Sequence, residues 1–346
     1  MTPPETMKAL VVTGEGYAGT STGLGIAQAG DWLELREIPV PKATGRNVLV
    51  RIGLANVNPS DVHFIKGEYG QPRRRGVPAG FEGMGVVVAA GDAAGEALIG
   101  KRVALSVVAT GSGTWAEYAL TDVAAVVPLA EGLRDEDAAA LIVNPLSAVA
   151  MVHVAEDLGA KAFLMTAGAS QLCKLIGSLA REKGMHAIPI VRREEHRALL
   201  AQMGAQTVLN SGASDYAEAL GAALVADKPT VLLDAVGDQN AADIFAAMPQ
   251  GAHWIVYGVL SDTPPRLANL AQLIFMGKKI EGFWLSQWLK SAPPAQREAA
   301  FTTVQRRFIS GAWKTDVAAT LSLGEALEKL APALGGINKG KIMLQP

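Results

Sequence analysis

The stretch Ala162-Phe163-Leu164-Met165-Thr166-Ala167-Gly168-Ala169-Ser170-Gln171-Leu172-Cys173-Lys174-Leu175-Ile176-Gly177-Ser178-Leu179 decides the fold class. Residues 162–166 form a compact apolar run of strand length, and Gly168 opens a turn. Leu172, Leu175, Ile176 and Leu179 then recur at i, i+3, i+4 and i+7, one apolar stripe of a helix that Gly184 stops. Further strand candidates follow at 187–191, 207–209, 231–235, 254–258 and 279–283, with helical patterns between them. Six such runs predict an α/β fold: a doubly wound parallel sheet with helices on both faces. Pro189 removes a ladder donor, so a bulge or an early strand end is expected there. Asn144 followed by Pro145 predicts a helix start, Asn as the cap and Pro at the first helical position.

Upstream the pattern is different. Runs at 7–12, 32–40, 47–57, 83–90, 102–107 and 115–120 alternate or are continuously apolar between Gly, Pro and Asn, which predicts a β-rich, barrel-like domain. The closing runs at 322–334 and 341–345 are expected to return to it. The resulting division is a β-rich domain over 1–128 and 287–346 and an α/β domain over 129–286.

Composition narrows the function. With 31 Lys and Arg against 33 Asp and Glu, the net charge is −2, leaving no basic excess for a nucleic acid or an anionic membrane. The apolar run 138–155 carries Asn144, Pro145, Ser147 and His153 and reads as a buried segment entering a helix. The first eight residues lack the basic start and apolar run of an export signal, and the single cysteine, Cys173, suits a reducing cytoplasm. A cytoplasmic protein with a small-molecule substrate is the expectation.

The turn from Gly168 through Ala169, Ser170, Gln171 and Leu172 to Cys173 lies where a dinucleotide's pyrophosphate rests on helix N-terminal N–H groups. It keeps one glycine of the three in G-x-G-x-x-G: Ser170 stands where bare backbone meets phosphate, and Cys173 where a third glycine allows close helix packing. An ordinary strand-turn-helix with no ligand is the alternative. The second strand ends in Arg192-Arg193, 24 residues after Gly168 at the first arginine. Arginines there offer forked donors to a 2′-phosphate and favour NADPH over NADH; alternatively they only balance Glu194 and Glu195.

No His pair is spaced i, i+4 and the lone cysteine sits in the turn, so no metal is expected. His63 with Asp61 and Glu82 is a conceivable mixed site, with a satisfied structural histidine as the plainer reading. Tyr69, flanked by Gly67 and Gly70, is the candidate proton donor, its alternative being a packed loop tyrosine. Arg73-Arg74-Arg75 reads as a solvated turn or, less simply, a grip on a substrate phosphate.

From Met7 to Pro346 the chain resembles the zinc-independent medium-chain dehydrogenase/reductases. The motifs that carry the likeness are Asn56-Val57-Asn58-Pro59-Ser60-Asp61, Pro78-Ala79-Gly80-Phe81-Glu82-Gly83, Gly100-Lys101-Arg102-Val103 and Trp115-Ala116-Glu117-Tyr118. Zinc alcohol dehydrogenases would have Cys and His where Asn58 and Phe81 stand. Two branches are similar, the quinone oxidoreductases and the mitochondrial-type 2-enoyl thioester reductases. Val143-Asn144-Pro145-Leu146-Ser147-Ala148 and Gly282-Phe283-Trp284-Leu285-Ser286-Gln287-Trp288 resemble the second more closely, and Tyr69 falls where that branch keeps its catalytic tyrosine. Gln171 and Cys173 depart from its glycines and resemble a bacterial group labelled quinone oxidoreductases.

The resemblance implies a β-rich GroES-like catalytic domain plus a Rossmann cofactor domain, with NADPH in the cleft between them. It implies Asn58 near the nicotinamide, a homodimer paired through the last sheet strands, and cofactor contacts from Asn144, Ser147, Tyr257, Gly258, Phe283, Trp284 and Lys341. The expected reaction is hydride transfer to an activated C=C, a 2-enoyl thioester or enone. Quinone reduction is the enzymatic alternative, and a non-catalytic nucleotide sensor the alternative from another class.

Overall fold

Short apolar runs broken by glycine and proline become strands, and two sheets organise the chain. A computed structural model describes residues 3–19, 22–107, 112–337 and 339–346. Met1 and Thr2, which open the segment read above for an export signal, lie outside the described residues. The chain divides into two compact units, Met1–Val143 with Phe301–Pro346, and Asn144–Ala300. The sequence reading placed these boundaries at 128/129 and 286/287.

In the first unit the long strand Asn47–Val57 organises the sheet. One side pairs antiparallel with Glu82–Ala90; Tyr118–Asp122 and Lys341–Gln345 pair antiparallel with its beginning and end. Arg102–Ser106 and Val126–Pro128 extend the sheet beyond Glu82–Ala90, and Val317–Ser322 extends it beyond the C-terminal strand. The closing elements thus do return to this unit. Thr6–Val12 and Leu33–Pro39 form a separate antiparallel pair. The expected strand at 115–120 begins only at Tyr118, because the backbone before it pairs elsewhere: the Trp115 carbonyl accepts from Leu10 N–H at 2.9 Å, Glu117 N–H donates to the Lys8 carbonyl at 3.1 Å, and the buried Trp115 ring donates its indole N–H to the Asn56 carbonyl at 3.2 Å. Gly80 makes room for that ring: its φ is +94°, and a Cβ there would lie 2.3 Å from the indole.

The second unit is a six-stranded parallel sheet in the order Leu209–Asn210, His186–Val191, Ala162–Met165, Val231–Asp234, His253–Val256, Lys279–Gly282. This is the doubly wound order, with the reversal beside Ala162–Met165. The helix after Ala162–Met165, Gln171–Glu182, buries Cys173, Leu175, Ile176, Leu179 and Ala180, so Cys173 rather than Leu172 completes the stripe.

Two local expectations are corrected. The strand His186–Val191 runs through Pro189 without a register shift. The Ile190 carbonyl accepts from Gly168 N–H at 2.9 Å, so Pro189, one residue earlier, turns its backbone to the other neighbour. That neighbour starts only at Leu209, opposite Ile190, and no ladder donor is lost. The helix expected from Asn144 begins at Val143, and its entry is capped by Glu82, whose Oε2 accepts the N–H groups of Ile142 and Val143 at 3.0 and 2.8 Å. Residues 138–142 are buried as read, and among the described residues no helix is long and apolar enough to cross a membrane.

Candidate functional site

In a parallel sheet every strand ends at the same edge, and there the second unit gathers its sequence-marked residues. Gly168 follows Ala162–Met165, Arg192 and Arg193 follow His186–Val191, Tyr257 and Gly258 follow His253–Val256, and Phe283 and Trp284 follow Lys279–Gly282. Only glycine fits at 168, since a Cβ would lie 2.6 Å from that of Pro189 and 2.9 Å from Ile190 N. Ala167 takes the left-handed conformation, φ +49°, that bends the strand into the turn. Ala169 is buried, and Ser170 caps the helix, its Oγ accepting Cys173 N–H at 3.2 Å. Gln171 and Leu172 occupy the first helical turn, where backbone N–H groups have no helical acceptor and a phosphate oxygen is the natural partner.

Cys173 replaces close glycine packing by filling the gap between helix and sheet. Its thiol donates to the Thr166 carbonyl at 3.4 Å and lies 3.6 Å from the Tyr257 hydroxyl. Burial pushes the Cys173 thiol up and the Tyr257 phenol well above its ordinary range. Both are neutral at pH 7, so Cys173 is no thiolate nucleophile. Asn144 and Ser147 lie on the helix Val143–Asp157, with Ser147 buried.

Arg192 and Arg193 are both exposed. Arg193 pairs with Glu195 at 3.4 Å, as the plainer reading proposed, but a pair this exposed is held by only ~0–1 kcal/mol and yields readily to a phosphate. Arg192 has no ion-pair partner among the described residues.

The sequence reading missed Asp234. This fully buried carboxylate accepts from Thr166 Oγ1 at 2.5 Å, Val236 N and Trp254 Nε1 at 2.9 Å and Gly237 N at 3.1 Å, tying three neighbouring strands together. An acid closing an apolar strand just before a small-residue turn, Asp234-Ala235-Val236-Gly237, was the available signal.

The first unit holds a buried polar cluster. Asn56, Asn58, Asp61, Glu82 and Lys341 are each at most 3% exposed. Glu82 Oε1 accepts from Asn56 Nδ2 and Asn58 Nδ2, each at 2.7 Å, while Asp61 accepts the N–H groups of Asn58 at 2.7 Å and Phe81 at 2.8 Å. Lys341 Nζ donates to Asn58 Oδ1. Burial pushes Asp61 up to about 7, the two N–H bonds opposing it and the neighbouring Glu82 charge adding to it. Burial likewise lowers Lys341 to about 8, against the pull of Glu82 and Asp61.

Tyr69 is half-buried, its ring 5.1 Å from that of Phe81, so the structure brings Tyr69 and Asn58 to opposite ends of one Phe81–Asp61 unit. The Tyr69 loop is anchored by Glu68, which meets His63 Nδ1 at 3.2 Å, Lys66 Nζ at 3.0 Å and Thr22 Oγ1 at 2.8 Å. His63 therefore belongs to Glu68 rather than to Asp61 and Glu82. Arg73 is corrected from a solvated residue to a buried clamp donating to the carbonyls of Ile65 at 3.0 Å and Gly16 at 3.1 Å, while Arg74 and Arg75 are exposed. Among the described residues no group of three or more His, Cys, Asp or Glu is arranged to hold a metal ion.

Two family models match the chain, the alcohol dehydrogenase GroES-like domain over residues 44–131 and the zinc-binding dehydrogenase over 172–301. The mitochondrial enoyl-[acyl-carrier-protein] reductase of Bos taurus is 27% identical over 277 residues, 79% of this chain and 74% of that protein. A crystal structure from Mesorhizobium loti labelled an NADPH:quinone reductase is 46% identical over the full length of both chains, with a TM-score of 0.95. The mitochondrial 2-enoyl thioester reductase heterodimer of Candida tropicalis, 20% identical with a TM-score of 0.79 over 99% of this chain and 100% of that one, shares the fold. Two matched domains in family order and a full-length relative leave one assignment: the chain belongs to the medium-chain dehydrogenase/reductase superfamily of oxidoreductases.

Proposed function

We propose that the protein is an NADPH-dependent reductase that delivers hydride to the β-carbon of an activated alkene, a 2-enoyl thioester or an enone. The observation that carries this reading is the common anchor of Tyr69 and Asn58. The Tyr69 ring packs at a tilt against Phe81, the Phe81 N–H is held by Asp61, and the same carboxylate holds the Asn58 N–H. A phenol whose ring is held in this way can donate a proton, or polarise the substrate carbonyl as negative charge develops on its oxygen.

The second unit fits a dinucleotide. The Gly168 turn with Ala169, Ser170, Gln171 and Leu172 would hold the pyrophosphate, and the exposed Arg192 and Arg193 the 2′-phosphate. Asn144, Ser147, Tyr257, Gly258, Phe283 and Trp284 complete the set on strand ends and the entering helix. When bound, NADPH supplies the hydride, and the protein's task is to orient it and exclude water. The reading assigns no metal: Asn58 and Phe81 stand where the zinc alcohol dehydrogenases would have ligands.

NADPH and NADH oxidation by the purified, metal-stripped protein, offered a short enoyl thioester, a simple enone and a benzoquinone, tests the proposal. Thioester- or enone-dependent oxidation that prefers NADPH is expected; turnover with the quinone alone would overturn it in favour of the second reading. That second reading, quinone reduction, is supported by the likeness to the Mesorhizobium loti protein. Under either reading we propose a homodimer, since Lys279–Gly282 is an exposed sheet edge and Leu270, Ile274 and Phe275 beside it are exposed apolar residues.

A further inference from the structure

The doubly wound sheet fixes where its two windings part. From Ala162–Met165 the chain passes to His186–Val191 on one side, and from Val231–Asp234 to His253–Val256 on the other, so the crevice of such a sheet opens between the ends of Ala162–Met165 and Val231–Asp234. Thr166 stands at one lip and Asp234 at the other, both buried. Successive N–H groups converging at a turn make a concave anion site. The turn after Asp234 has such a set, and the protein fills it from within. Ala235 N–H donates to Thr166 Oγ1 at 2.9 Å, and the N–H groups of Val236 and Gly237 donate to the Asp234 carboxylate at 2.9 and 3.1 Å. The Thr166 hydroxyl closes the arrangement by donating to Asp234 Oδ1 at 2.5 Å. The carbonyls of the turn are held as well, that of Ala235 by Leu260 N–H at 3.1 Å and that of Val236 by Ser261 N–H at 2.9 Å. The two lips therefore differ. The Gly168 turn runs into a helix N-terminus, whereas the N–H groups of 235–237 are already engaged by the protein's own oxygens.

We propose that Asp234 is a positioning residue for the cofactor. As a built-in anion it saturates one lip of the crevice and, through Thr166, ties that lip to the other, so that a dinucleotide's pyrophosphate is directed to the Gly168 side and the crevice keeps its width before a ligand enters. The inference rests on the dinucleotide reading of this unit. Asp234 acts through backbone that both nucleotides meet alike, so its effect is equal for NADPH and NADH, unlike that of Arg192 and Arg193.

The test titrates NADPH and NADH into the full chain as wild type, Asp234→Asn, Thr166→Val, Thr166→Ser and Ile244→Ala, with urea unfolding of each. Asp234→Asn leaves one acceptor oxygen for the four donors now on the carboxylate; should it not fold, Thr166→Val breaks the same link between the lips by removing one hydroxyl. Thr166→Val is expected to raise the Kd of both nucleotides at least about fivefold with their ratio kept within about twofold, and Thr166→Ser, which keeps the hydroxyl, to stay within about twofold of wild type. Ile244, fully buried on the helix Gln239–Ala247, controls for instability: its truncation should lower the urea midpoint at least as far as Thr166→Val and leave both Kd values within about twofold. Unchanged Kd values in Thr166→Val, an equal weakening in Ile244→Ala, or a loss confined to NADPH would each overturn the proposal. A wild type that binds neither nucleotide would refute the dinucleotide reading itself, and this inference with it, a result distinct from wild-type binding that the variants do not disturb.

Discussion

The two units build their candidate site residues by opposite means. In Asn144–Ala300 the marked positions lie at strand ends, each within a few residues of its own strand, and much of what they offer is backbone: a turn, a helix N-terminus, a sheet edge. In the first unit the cluster is made of side chains at 56, 58, 61, 82 and 341, buried together and holding one another's charges. Backbone-built sites tolerate variation in side chains, so under the proposed reading Ser170 and Cys173 can stand where two glycines are usual. Side-chain clusters do not, because a lost partner leaves a buried polar group uncompensated.

The largest effect should come from the cluster. Glu82→Gln leaves one acceptor oxygen for four donors, Asn56 Nδ2, Asn58 Nδ2, Ile142 N and Val143 N, and is expected to cost about 3–5 kcal/mol in urea unfolding. A loss under about 1 kcal/mol would break the contrast, since the cluster would then be no more demanding than a surface pair.

Tyr69→Phe should lower alkene turnover about a hundredfold, with the NADPH Kd unchanged, as measured by steady-state kinetics beside a binding titration. Undiminished turnover would remove Tyr69 from the chemistry.

Gly168→Ala puts a methyl 2.6 Å from Pro189 Cβ and should destabilise the second unit by about 1–3 kcal/mol, seen as a lower urea midpoint. No change would mean that the turn is held less tightly than its contacts indicate. Arg192→Ala with Arg193→Ala should leave stability within ~0.5 kcal/mol but weaken NADPH at least about tenfold more than NADH. Equal losses for the two nucleotides would exclude a 2′-phosphate role.

The smallest effect concerns pH. Burial holds His63 below the ordinary imidazole value, against the pull of Glu68. The unfolded chain therefore takes up the proton first, and the stability contributed by neutral His63 is present above about pH 6.5 and lost as pH falls below it. Burial alone would raise Glu68, but hydrogen bonds from Thr22 and Lys66 hold it below the usual carboxylate range, so its contribution is also lost toward acid. An NMR titration of His63 should show the depressed value; a raised one would mean that its contact with Glu68 outweighs burial.

Much of the second unit was legible because its signals are local. The stripe after Ser170, the stop at Gly184 and all six strands can be read within windows of a few residues, and parallel strands then share one edge by geometry. Pro189 was misjudged because whether a missing N–H matters depends on which neighbour that residue faces, a property of the sheet and not of the strand. Arg73 was misjudged for a related reason: a triplet of arginines looks solvated until the carbonyls of Ile65 and Gly16 are seen to surround one of them.

By itself the sequence determined the α/β class, the strand-turn-helix at Gly168, the arginines that follow the second strand, and Tyr69 as a candidate, since each is written in spacing or in a short motif, while Asn58 was a candidate only through the family resemblance. Only the tertiary structure decided that Glu82 caps the helix at Val143, that Asp234 ties three neighbouring strands, and that Lys341 meets Asn58 across 283 residues of chain. Hydrogen bonds between buried side chains depend on which strands are neighbours and in what register, and one residue of slip would turn Lys341 to the other face of its sheet.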